Sequence, residues 1–70
     1  MVVVCANHTD AGQVILLLLR HSLRPYTHFR VDETNHGDPT ITITFSKMAS
    51  EEQLTQLRAA LAGAPNIHIQ

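Results

Sequence analysis

Six branched aliphatic residues stand side by side in the stretch Gly12-Gln13-Val14-Ile15-Leu16-Leu17-Leu18-Leu19-Arg20. Such a run belongs in a bilayer, in a core or against a partner, and its length and phase discriminate between them. A membrane-spanning helix needs roughly 20 apolar residues, and this run stops at Arg20. As a helix stepping about 100° per residue, it places Ile15 at the middle of an apolar arc of roughly 200°. That arc takes in Ala11, Gly12, Val14, Leu16, Leu18, Leu19 and Leu23, with Ser22 its polar member. Gln13 and Arg20 mark the polar side, Leu17 falls outside the arc, and Val14 and Leu16 sit on its margins. Leu17 is then either one of the exposed apolar residues every protein carries or part of a docking surface. The expected contact residues are Val14, Leu16, Leu17 and His21.

The chain around this helix reads as four strands and two helices. Val2 to Ala6 is β-branched and apolar, a short strand expected to be buried on both faces. Thr9 or Asp10 can cap the helix that follows, from about Ala11 to Ser22, ahead of Pro25. Tyr26 to Glu33 alternates as a strand, with Thr27, Phe29 and Val31 on one side and Tyr26, His28, Arg30 and Asp32 on the other. Asn35-His36-Gly37-Asp38-Pro39 is a cluster of turn formers. Thr40 to Ser46 alternates cleanly, Ile41, Ile43 and Phe45 facing the core and the threonines facing out. Ser50 and Gln53 form a capping-box pattern ahead of Leu54, Leu57 and Leu61, with Gly63 and Pro65 ending that helix. Ile67 and Ile69 alternate against His68 and Gln70 in a final short strand.

The order β-α-β-β-α-β predicts an α+β, ferredoxin-like (ACT-like) sandwich: one antiparallel four-stranded sheet with both helices on one face. The 70 residues form a single domain. A chain of this size buries only about 60% of its unfolded surface, so its core must be efficient. The 44% hydrophobic and 16% charged composition is that of a globular domain. A net charge of −1 argues against a generic nucleic-acid or anionic-membrane binder. A single cysteine excludes an internal disulfide framework. No signal peptide is recognisable, and the chain is expected to be soluble, without inserting in a membrane.

Candidate chemistry is sparse. No histidine pair has metalloprotease spacing and no Cys/His cluster has zinc-finger spacing. Asp32, Glu33, His36 and Asp38 are weak candidates for an oxygen-rich magnesium site, although solvated turn residues explain them as well, and no cofactor is expected. Cys5, in a strand without a basic neighbour, reads as a core residue rather than a nucleophile. Tyr26, His28 and Arg30 are expected on the outer sheet face beside Thr42, Thr44 and His68. One aromatic is too few for base stacking, so a solvated or subunit-facing sheet is expected. The segment Asp10-Ala11-Gly12 at the start of the first helix is a candidate ligand site, because helix N-termini favour anions and glycine permits close approach. A capped helix start needs no ligand at all.

With Asp10-Ala11-Gly12 opening its first helix, the chain resembles an ACT-type regulatory domain, which implies binding of a small molecule between paired domains. Val2-Val3-Val4-Cys5, Gln13-Val14 with Leu17-Leu18, Asp32-Glu33 and Pro65-Asn66-Ile67 are similar to the C-terminal cytoplasmic domain of the MgtC family. Those are bacterial inner-membrane proteins tied to growth in low magnesium and survival in macrophages. The resemblance implies that Met1 is an artificial start and that transmembrane helices precede this piece in the parent protein. It also implies a regulatory rather than catalytic role on the cytoplasmic side of the membrane. The implied partner is a second copy, or another domain of the parent. The alternative is an ACT-like sensor of a small molecule or metal ion.

Overall fold

A computed structural model describes residues 1–34 and 39–70. The elements follow as β1 (Val2–Cys5), α1 (His8–Arg20), β2 (Phe29–Thr34), β3 (Thr40–Phe45), α2 (Glu51–Leu61) and β4 (Ile67–Ile69). The four strands form one antiparallel sheet in the order β2-β3-β1-β4. This is the ferredoxin-like βαββαβ arrangement that the pattern of elements predicts.

Register assigns the faces. Val3 stands between Ile43 and Ile69, Cys5 between Ile41 and Ile67, and Phe29 opposite Phe45. These side chains meet Ala11, Val14 and Leu18 of α1 and Leu54, Leu57 and Leu61 of α2 in a single core. The outer face carries Arg30 and Asp32, Thr42 and Thr44, Val2 and Val4, and His68. β1 is therefore not buried on both sides. Only Val3 and Cys5 are buried, while Val2 and Val4 lie half-covered among threonines, because both helices occupy the other face.

Three boundaries depart from expectation for local reasons. α1 begins a turn early because Asn7, rather than Thr9 or Asp10, is its cap. Asn7 Oδ1 accepts the Asp10 N–H at 2.8 Å, and the Asp10 carboxylate accepts Asn7 Nδ2–H at 2.7 Å. α1 ends at Arg20 in a Schellman motif. Ser22 has φ 63, its N–H reaches the Leu19 carbonyl, and the Leu23 N–H reaches back to Leu18. β2 starts only at Phe29, because residues 24–28 form a turn that bonds to itself and to the end of β3. Arg24 N–H donates to His28 Nδ1 at 2.9 Å, and Ser46 Oγ donates to the Thr27 carbonyl at 2.7 Å. The capping box at Ser50 forms as expected, with reciprocal bonds between Ser50 and Gln53.

Candidate functional site

The first candidate, Asp10-Ala11-Gly12, lies inside a helix and not in a loop. Ala11 is buried in the core. Asp10 is engaged by Asn7. At Gly12 an added Cβ would meet nothing within 4 Å, so no close approach of backbone or neighbour requires glycine there. Beside Asp10 lies an open groove of about 440 Å³ between α1 and the turn into β4, lined by Gln13, Val14, Leu17, Leu61 and Ile67. Cys5 lies beneath this region. Burial pushes its thiol pKa up, and the negative charge of Asp10 pushes the same way.

The acidic turn separates into halves. Asp32 and Glu33 are consecutive in a strand, so their side chains leave opposite faces of the sheet. Asp32 pairs with Arg30 at 3.0 Å on the outer face. Glu33 pairs with His8 Nε2 at 2.7 Å on the helix face. The two carboxylates therefore do not converge on one ion, which corrects their pairing as metal ligands. His36 and Asp38 lie outside the described residues. Among the described residues no group of three or more His, Cys, Asp or Glu is placed to hold a metal.

The contact residues on α1 divide differently from the arc. Val14 is fully buried and offers no surface. Leu17 packs against the core, and His21 is half-buried with its carbonyl accepting Gln53 Nε2–H at 3.2 Å. Leu16 is 58% exposed, and so, against expectation, is Leu19 at 48%. The helix thus leans from Ile15 toward Leu17, whose neighbours across the groove are Leu61 and Ile67. An arc of roughly 200° is wider than one packed face can cover, so one flank stays in water, and that flank is the Leu16–Leu19 side.

On the outer sheet face, Arg30 stands opposite Thr44, and Asp32, Thr42, Val4 and His68 form one cross-strand row. Tyr26 and His28 are absent from this face, since both belong to the turn before β2. Tyr26 is instead 94% exposed at φ 68, a conformation that costs a side chain with a Cβ. No alternation or spacing in the sequence signals it. The His8–Glu33 pair was equally silent, since it joins residues far apart in the chain.

No family model, curated protein or solved structure matches this chain. No helix among the described residues is long and apolar enough to cross a membrane.

Proposed function

We propose that this chain is a non-catalytic regulatory and interaction domain of a bacterial inner-membrane protein of the MgtC type. It sits on the cytoplasmic side and serves adaptation to low magnesium and survival in macrophages. It works by contact, with a second copy of itself or with another domain of its parent. The observation that supports this reading is the uncovered flank of α1. Leu16 and Leu19 stand in water, one helical turn apart, on a domain whose core is too small to enclose every leucine of this helix. Converting both to aspartate leaves the fold intact, because neither side chain is buried. It abolishes concentration-dependent association in sedimentation experiments, and in the parent protein it lowers growth at limiting magnesium. Leu17→Asp, by contrast, lowers stability, because Leu17 packs against the core. Association and growth that survive the double change would overturn the reading.

The groove beside Asp10 favours a second reading, an ACT-like sensor of a small molecule or metal ion. Titration with Mg²⁺ and with amino acids, followed through backbone amide shifts, tests it. Saturable shifts at Asp10, Gln13 and Leu17 support a sensor, and their absence at millimolar ligand removes it.

A further inference from the structure

The two edges of the sheet are not alike. β2 forms one of them and carries Arg30, Asp32 and Glu33. The carbonyl of its first residue, Phe29, is already taken by the Tyr26 N–H at 2.8 Å. Charges and a turn folded against an edge are guards against further strand pairing. β4, Ile67-His68-Ile69, forms the other edge and carries no carboxylate, guanidinium or ammonium group.

Hydrogen bonding shows which way the backbone of β4 faces. Gln70 exchanges both backbone bonds with Val2, and the Asn66 carbonyl accepts the Ala6 N–H. Residues of an antiparallel strand turn alternately toward and away from a neighbour, so His68, opposite Val4, also faces β1. Ile67 and Ile69 aim their N–H and C=O groups outward, where nothing among the described residues bonds to them. Their side chains are half-buried against the core, while His68 is exposed on the outer face.

The segment is its own complement. Asn66-Ile67-His68-Ile69-Gln70 reads alike in both directions: amide, isoleucine, histidine, isoleucine, amide. A second copy laid antiparallel about a two-fold axis at His68 sets Ile67 against Ile69 on both sides of the axis. Every outward N–H of one copy then meets an outward C=O of the other, and none is left over. Sliding the pair toward the preceding turn sets Pro65, which has no N–H, against Ile69. We infer that β4 is the docking edge for a second copy of this chain, with His68 on the two-fold axis.

The two four-stranded sheets then join into one, with the helices of both copies on the same face. The isoleucines cover each other's exposed flanks, and the carboxamides of Asn66 and Gln70 stand opposite one another. The two His68 rings meet in a non-hydrogen-bonded pair, where side chains approach most closely. Around His68 on that face are Val2 and Val4 of β1, with Asn66 and Gln70 on its own segment. The first charged side chain in its row is Asp32, beyond Val4 and Thr42. No adjacent side chain offsets two imidazolium rings there, so association weakens as pH falls through the range in which histidine gains its proton. This inference rests on the self-contact proposed for α1 and assigns its axis: Leu16, on the uncovered flank, and Ile67 line one groove.

The test is sedimentation velocity over a concentration series, at about pH 7.5 and about pH 5. His68→Lys and His68→Glu each set like charges across the axis and lower the association constant about fivefold, with unfolding transitions unchanged. An equimolar mixture of the two variants restores association, which only an axis through position 68 provides. Ile69→Pro removes the outward N–H and no bond within the fold, and it lowers association about thirtyfold. Ile69→Ala gives up packing but keeps the N–H, and lowers association less. A chain that stays monomeric at millimolar concentration overturns the inference. So does a mixture of the two His68 variants that associates no better than either alone. If aspartate at Leu16 and Leu19 abolishes association while the His68 variants leave it unchanged, the contact through α1 stands and the β4 axis falls. The reverse pattern supports the β4 axis and overturns the contact through α1.

Discussion

At the scale of single residues, Gly12 and Cys5 each carry a measurable structural consequence. Gly12 sits in the exposed flank of α1 with open space where a Cβ would project. Gly12→Ala is therefore expected to raise stability by about 0.5–1 kcal/mol, read from the urea midpoint, since alanine gives up less backbone entropy on entering a helix. A loss of stability would reveal a contact at Gly12 that the isolated fold does not contain. Cys5 carries a pH dependence. Its thiol is fully buried and its pKa is raised above the ordinary 9.0, first by burial and then by Asp10. Below that value both folded and unfolded chains hold the proton, and stability is unaffected. Above it the unfolded chain ionises first, so the native state binds more protons and stability falls as pH rises. Cys5→Val is expected to remove that alkaline decline, seen by comparing unfolding free energies of the two proteins across the window above pH 9.0.

At the scale of elements, the sequence was most legible where one residue type signals one local geometry. The alternation of Thr40 to Phe45 and the Ser50–Gln53 box each encode their own hydrogen bonds, and both elements form as read. α1 was harder at both ends. Three polar residues compete to cap it, and Asn7 prevails because its amide and the Asp10 carboxylate satisfy each other. At the far end, Ser22 does what glycine usually does, so no glycine announces the stop. Ser22→Gly is expected to stabilise the domain by about 1 kcal/mol, measured by thermal or urea unfolding, because it removes the left-handed penalty while keeping both Schellman hydrogen bonds. The turn before β2 was illegible for another reason. Its anchor, Ser46, lies 19 residues away from Thr27 and belongs to another element.

At the scale of the whole molecule, adjacency in sequence and adjacency in space part company. Asp32 and Glu33 look like a pair of ligands and are split by the sheet, whereas His8 and Glu33 look unrelated and meet at 2.7 Å. The core itself has little reserve. Leu18 is fully enclosed among residues of both helices and the sheet. Leu18→Ala costs about 2–5 kcal/mol, against a total of about 3–5 kcal/mol for a domain this small. The variant is therefore expected to be largely unfolded at room temperature, as circular dichroism would show. One further property follows from how the sheet closes. Val2 and Gln70 exchange both backbone hydrogen bonds, at 3.1 and 2.8 Å, so the first and last strands meet like the two halves of a zip. Tension applied through Met1 and Gln70 loads one bond pair at a time instead of shearing the row together. β4 peels away first, uncovering Ile67 and Ile69 from the core they pack against, and the domain yields to a weak pull.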